Sequence, residues 1–277
     1  MNPRPAFTLI ELLVVVTIIV GLLAMLAPAL DGAIEQAQRA ACGANERAIY
    51  LGSYGYAMGH KKKLIPCRNY NGPPKIQIAF EDDYAQSLAD AGLMGSSKAV
   101  VATNSLDSLT TYPPSKVWDC PARGFKSRWG STAKGNAYED ATAALGWQLV
   151  IGYQYLGGIA TWTNPQYTGG TRSRSPVDIA KSGPGWVLAA DTTAKIGGAW
   201  GGTPTDDYAG MPSHKSGDSW RPAGGNQVHM DGSVAWIQFN RMLYISSWTG
   251  GQDRKFFWYQ SDLGFEPGDL LRADLEP

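Results

Sequence analysis

Between Phe7 and Ala27 the chain is apolar at nearly every position, and the one charge in the run is the carboxylate of Glu11. Coiled as a helix at about 1.5 Å per residue, the segment is roughly 30 Å long, the hydrocarbon thickness of a bilayer. A helix that is greasy on every side needs a membrane or a deep core around it, and its length favours the membrane. A carboxylate inside such a span costs about 2.5–3.5 kcal/mol on insertion scales. Two readings account for it. Either Glu11, close to the start of the run, reaches back to the headgroups, or it meets a partner from another chain.

Charge sets the orientation. Arg4 and the amino terminus precede the span, whereas Asp31 and Glu35 are the first charges after it, so the amino end is expected in the cytoplasm and the rest of the chain outside it. A conventional secretory signal fits less well. The run is too long for an ordinary apolar core, it carries Glu11 near its start, and Ala27-Pro28-Ala29 places proline inside the small-residue cleavage pattern.

The stretch Ala6-Phe7-Thr8-Leu9-Ile10-Glu11-Leu12-Leu13-Val14-Val15 resembles the class III signal of type IV prepilins and type II secretion pseudopilins. The resemblance implies a leader at 1–6, a cut between Ala6 and Phe7 by a membrane prepilin peptidase, and N-methylation of Phe7. It implies a transmembrane and assembly helix at 7–28, in which Glu11 neutralises the amino group of Phe7 on a neighbouring subunit and sets the axial register of a filament. The partners would be other pilin or pseudopilin subunits and an inner-membrane assembly machinery. The protein would cross the bacterial inner membrane once, its carboxy-terminal domain in the periplasm, before entering a secretion pseudopilus or a pilus-like filament. Ala6 departs from the glycine usual in that family before the cut.

Pro28 lacks the N–H that a continuous helix uses, so a kink or local melting is expected there. Helical periodicity resumes over 29–60. Ala29, Ala33, Ala37, Ala40, Ala41, Ala44, Ala48 and Leu51 recur at three- and four-residue spacing, an alanine stripe able to pack on the chain's own domain or on helices of other subunits. If continuous, the element from Phe7 to Gly59 is roughly 80 Å long.

The remaining chain, 61–277, is long enough to bury one core without metals or many disulfides. Its β-prone runs at Lys75–Phe80, Trp147–Tyr153, Trp186–Ala190 and Ser233–Phe239 alternate with Gly, Pro and Asn turn clusters, which predicts an antiparallel sheet. Glu81–Gly92 has helical spacing and ends in glycine, predicting one short helix. The fold class is therefore α+β, and the resemblance makes it pilin-like.

Three cysteines are present, Cys42, Cys67 and Cys120. Export would let a disulfide persist, and Cys67 with Cys120 is the expected pair because both lie in loop-like sequence; Cys42 with Cys120 is the alternative. No two cysteines have the spacing of a zinc finger.

The segment from Gly224 to Trp236, with His214 and Asp191 upstream, resembles the carboxy-terminal region of pilin-like proteins of planctomycetes and their relatives, which carry a His followed by an Asp-Gly turn. The interval from His214 to Asp231 exceeds that group's commonest spacing. In physical terms Asp231-Gly232 is a two-residue hairpin signal. The competing reading has Asp191, His214 and Asp231 converge on a structural divalent cation or a hydrogen-bond knot, with no resident cofactor otherwise expected.

No nucleophile elbow, phosphate loop or paired metal-binding histidines occur, so the chain reads as no enzyme. The 24 basic and 24 acidic residues cancel, and Lys61–Lys63 is too short a basic cluster to imply nucleic acid. Ten tryptophans and thirteen tyrosines either fill the core or form stacking platforms for sugars. The second reading defines the alternative function, a membrane-tethered glycan-binding module that never polymerises.

Overall fold

The computed structural model describes residues 8–69, 74–95, 114–122, 126–131, 147–164, 171–202, 213–217, 221–247, 254–265 and 270–276. A single helix, α1 (Leu9–Gly59), takes up 51 residues, or about 77 Å of rise. It passes position 28 without a break, so the local melting expected at Pro28 does not occur. One missing N–H removes one hydrogen bond, and the regular turns on either side carry the helix across. α1 stops where Lys61 and Lys62 enter the left-handed region, at φ 51° and 63°.

Short elements follow: β1 (Arg68–Asn69), β2 (Pro74–Ile76), β3 (Ala79–Glu81), α2 (Ala85–Asp90), β4 (Arg128–Ser131), β5 (Trp147–Val150), β6 (Tyr153–Tyr155), β7 (Thr161–Trp162) and β8 (Thr171–Arg172). The carboxy half adds β9 (Val187–Asp191), β10 (Ala194–Ile196), β11 (Ala199–Trp200), β12 (His214–Lys215), β13 (Pro222–His229), β14 (Val234–Gln238), β15 (Leu243–Ser247) and β16 (Arg254–Trp258). The expected run at Lys75–Phe80 is split into β2 and β3 by a turn at Gln77-Ile78, and Trp147–Tyr153 is split between β5 and β6. α2 ends as its glycine predicts. Gly92 adopts φ 70°, and Leu93 and Gly92 donate to the carbonyls of Leu88 and Ala89.

Among the described residues all strand pairings are antiparallel, which with α1 gives the α+β class. The central sheet has the order β12-β13-β9-β6, with β14 also on β13; a second runs β11-β10-β16-β15 and a third β3-β5-β4. The second half of α1 lies on the central sheet, against β13, β9 and β14, and also touches the 3-10 turn Lys116–Trp118 and α2. The core beneath is rich in aromatics. Trp118, Phe80 and Tyr155 form one group, Trp162, Trp258 and Phe265 another, and Trp200, Phe239 and Phe257 a third.

Candidate functional site

The two halves of α1 occupy different environments. Over Leu9–Ala27 the mean hydropathy is 2.9 and none of the apolar window is buried against the rest of the protein, so this span is long and apolar enough to cross a membrane. Thr8 caps it. Its hydroxyl accepts from the Glu11 N–H at 3.3 Å, while Glu11 Oε2 accepts from the Thr8 N–H at 2.8 Å and the Thr8 hydroxyl at 2.7 Å. Glu11 thus has a partner within its own chain, a capping box that the sequence analysis did not name although the Thr-x-x-Glu spacing announces it. Ala6 and Phe7, the expected processing pair, lie outside the described residues, as does the side chain of Pro28.

Beyond the span, α1 presents an unexpected face to the sheet. Ala33, Ala37, Ala40, Ala41, Ala44, Ala48 and Leu51 are all exposed. The buried face is Cys42, Glu46, Ile49, Ser53 and Ala57, flanked by half-buried Glu35, Arg39 and Asn45. The alanine stripe therefore does not cover the domain; a face containing carboxylates, a thiol and a hydroxyl does. Close approach is made by glycines. A Cβ on Gly43 would meet Val234 Cγ1 at 3.3 Å, and one on Gly52 would meet the Ala91 carbonyl oxygen at 2.6 Å.

Under that face polar groups gather from three directions. β9 ends in Asp191, which is fully buried and whose Oδ2 accepts from the main-chain N–H of Asn226 at 2.7 Å and from its Nδ2 at 3.1 Å. Gly225 makes room for it, since a Cβ there would stand 2.9 Å from Asp191 Cβ. Asn226 Nδ2 also donates to the Arg39 carbonyl of α1 at 3.0 Å, joining strand to helix. His214, on β12 and fully buried, puts Nε2 at 3.2 Å from Asp191 Oδ2, an ion-pair distance but out of line for a well-formed hydrogen bond, and Nδ1 at 3.0 Å from Glu35 Oε1. Glu35 in turn accepts from Arg39 Nε at 2.8 Å, and the Arg39 guanidinium lies 3.9 Å from the ring centre of Trp236, which packs edge-on to His214. Burial pulls the imidazole down, but the Asp191 hydrogen bond and charge, helped by Glu35, outweigh it and raise His214 above its ordinary value.

The third direction is the loop after the 3-10 turn. Ser115 caps that turn, Trp118 Nε1 donates to the Leu93 carbonyl at 2.8 Å, and Asn45 of α1 donates to the Asp119 carbonyl at 3.1 Å. This seats Cys120, with Sγ 3.3 Å from Cys42 Sγ. The Cys42 and Cys120 sulfurs and an Asp191 carboxylate oxygen all lie within 4.8 Å of one another. Glu46, one turn beyond Cys42, is fully buried and neither of its oxygens has a hydrogen-bond partner. Burial, then the Asp191 and Cys120 charges, hold its carboxyl well above the usual range.

Two expectations about this region need correction. Cys120 faces Cys42 rather than Cys67, whose buried sulfur lies near the Arg68 carbonyl; none of the three cysteines is in a disulfide. The loop character of Cys67 gave it freedom but not position: its main-chain N–H donates to the Gly157 carbonyl at 2.9 Å, which fixes it away from Cys120. Asp191 and His214 do meet, but Asp231 does not join them. It sits in the β13–β14 hairpin, where Oδ1 accepts from the Ser233 N–H at 2.8 Å and hydroxyl at 2.6 Å. The adjacent Gly232, at φ 80°, packs on Tyr50, about 12 Å along α1 from Cys42. The hairpin reading holds, with Met230–Ser233 as a four-residue connection rather than two.

Cys42 was paired with Cys120 only as the alternative, and Glu35, Glu46 and Asn226 were not singled out as site residues by sequence reasoning. Their signal was faint: Glu35, Arg39, Cys42, Glu46, Ile49 and Ser53 share a 3.6-residue period. Elsewhere, a groove of about 240 Å³ is lined by Lys63, Arg172, Asp178, Lys181 and Trp186 among others. Trp118, Trp162 and Trp258 are buried, and Trp186, Trp200 and Trp236 half-buried. The chain matches no protein family, no curated protein and no solved structure.

Proposed function

We propose that this chain is a structural, non-catalytic subunit of the pilin-like or pseudopilin kind. It would be cut between Ala6 and Phe7 and methylated at Phe7 by prepilin peptidase, and then drawn by its helix from the inner membrane into a filament. The observation that carries the reading is the bare side of α1. A membrane accounts for Leu9–Ala27, but exposed Ala33, Ala37, Ala40, Ala41, Ala44, Ala48 and Leu51 continue that side beyond the span. Small side chains let helices approach closely, and neighbouring copies of the same helix are the partners that such a face fits. The exported domain would ride outside this helical stem, held to it by the opposite face of α1.

Glu11 supports the same reading. In the uncut chain it satisfies the Thr8 N–H and hydroxyl. After a cut before Phe7 the new amino group, close in sequence to those donors, would offer a positive charge to the equivalent carboxylate of the next subunit. For the glycan-binding alternative, Trp162 is buried and Trp200 half-buried, so of the rings it would stack on, these two offer little free face.

The test is Glu11→Leu in cells that supply prepilin peptidase and a wild-type partner subunit. Membrane insertion is expected to be retained and co-assembly, read by cysteine crosslinking between helices, to fall at least tenfold. Wild-type crosslinking by the mutant would refute the filament reading and leave the chain a tethered module.

A further inference from the structure

We propose that Cys42, Cys120 and Asp191 are protein ligands of a thiophilic divalent cation, Zn2+ in class, that pins α1 to the central sheet. Two sulfurs and a carboxylate oxygen converge within 4.8 Å from a helix, a loop and a strand that are far apart in sequence. All three residues are at most 1% exposed, so the site is closed to solvent, as structural zinc sites are.

The unpartnered oxygens decide between a metal and the other thing two adjacent thiols can become. Asp191 Oδ2 accepts from Asn226 and lies in ion-pair range of His214, whereas Asp191 Oδ1 has no hydrogen-bond partner, and the Glu46 oxygens have only a loose approach to the Asp191 main chain. A disulfide would leave all of these oxygens buried and unmet. It would also require the sulfurs, now 3.3 Å apart, to close by a further ~1.3 Å. A tetrahedral centre with Zn–S bonds of about 2.3 Å needs them only to part by ~0.5 Å, and it supplies the acceptor oxygens with a cation. Glu46, one turn along α1 from Cys42 and on the same buried face, stands outside the converging set and is assigned the fourth position in the proposed centre.

The surroundings have the form of a ligand-orienting shell. Asn226 and His214 fix the Asp191 carboxylate from behind, and Asn45 fixes the loop that presents Cys120 through the Asp119 carbonyl. Cysteine spacing concealed the set, since finger-type sites are read from neighbouring cysteines and these two are 78 residues apart.

The experiment uses the full chain, purified in detergent and divided into an as-isolated and a reduced sample. Zn2+ alone is the probe, with Co2+ as a spectroscopic substitute. The expected result is one zinc per chain, protection of Cys42 and Cys120 but not a denatured control from alkylation, and a thiolate-to-cobalt charge-transfer band. Cys120→Ser is expected to abolish uptake, Asp191→Asn and His214→Ala to weaken it by about 10- to 100-fold, and Cys67→Ser to leave it unchanged. The wild-type measurements stand even if a variant fails to fold. An as-isolated chain that is lighter by two hydrogens and carries a Cys42–Cys120 bond overturns the proposal. A reduced chain that takes up no zinc overturns it equally.

Discussion

The first and second halves of α1 are one helix with two different sources of order. Leu9–Ala27 is not buried against the rest of the chain, and its helicity rests on backbone bonds and the Thr8 cap, with a length and apolarity sufficient to cross a membrane. The second half is held from one side by the domain, and the side held is the chemically mixed one. Hydropathy therefore does not identify the docked face. Complementarity does: Asn226 bonds the helix backbone, His214 bonds Glu35, and Gly43 and Gly52 let the sheet and α2 region come near.

Substitutions across the two faces should break this contrast if it is wrong. Ile49 is fully buried and Leu51 is 59% exposed, so Ile49→Ala should cost about 2–5 kcal/mol and Leu51→Ala no more than ~0.5 kcal/mol in unfolding of the detergent-solubilised chain. Equal losses would mean that the alanine side is also packed within the chain. Next in size is a pair of glycines three residues apart. A methyl at Gly52 would sit 2.6 Å from the Ala91 oxygen and should cost about 1–3 kcal/mol, whereas at Gly55 nothing lies within 4 Å. Gly55→Ala should instead stabilise by ~0.5–1 kcal/mol, because alanine is the better helix former. Opposite signs in thermal unfolding are the readout.

The smallest effect concerns the hairpin that touches α1 through Gly232. The Ser233 hydroxyl, then the Ser233 N–H, hold the Asp231 carboxyl below its ordinary value. A depressed carboxylate stabilises the fold above its unfolded-state pKa, and that contribution disappears as pH falls through the lowered folded-state value. Amide protection at Gly232 and Ser233, relative to the intrinsic exchange rate at each pH, should therefore fall in acid, and Asp231→Ala should produce the same loosening at neutral pH. Unchanged exchange in the variant would show that the turn depends on Gly232 alone.

Much of the architecture was legible from residue order. The apolar run, the resumed helix past Pro28, the glycine stop after α2 and the Asp-Gly hairpin each follow from local backbone chemistry that acts within a few residues. The docked face was not, because periodicity gives the angle between residues on a helix but not which angle faces inward. Alanine looked like the packing side by polarity, yet the sheet offers Asp191, His214 and Asn226, which favour Glu35, Cys42 and the Arg39 carbonyl. The meeting of Cys42 with Cys120 likewise depends on β9, the 3-10 turn and α1 being in place together. No local pattern records such a coincidence.

The docked residues Cys42, Glu46, Ile49, Ser53 and Ala57 lie in a row nearly parallel to the axis of α1. A tug on the anchored end runs along that same axis and loads the row in shear, so every contact is strained at once. A force directed outward from the sheet would peel them apart one at a time, as a zipper opens. The joint is thus strong along the axis of α1 and weak across it.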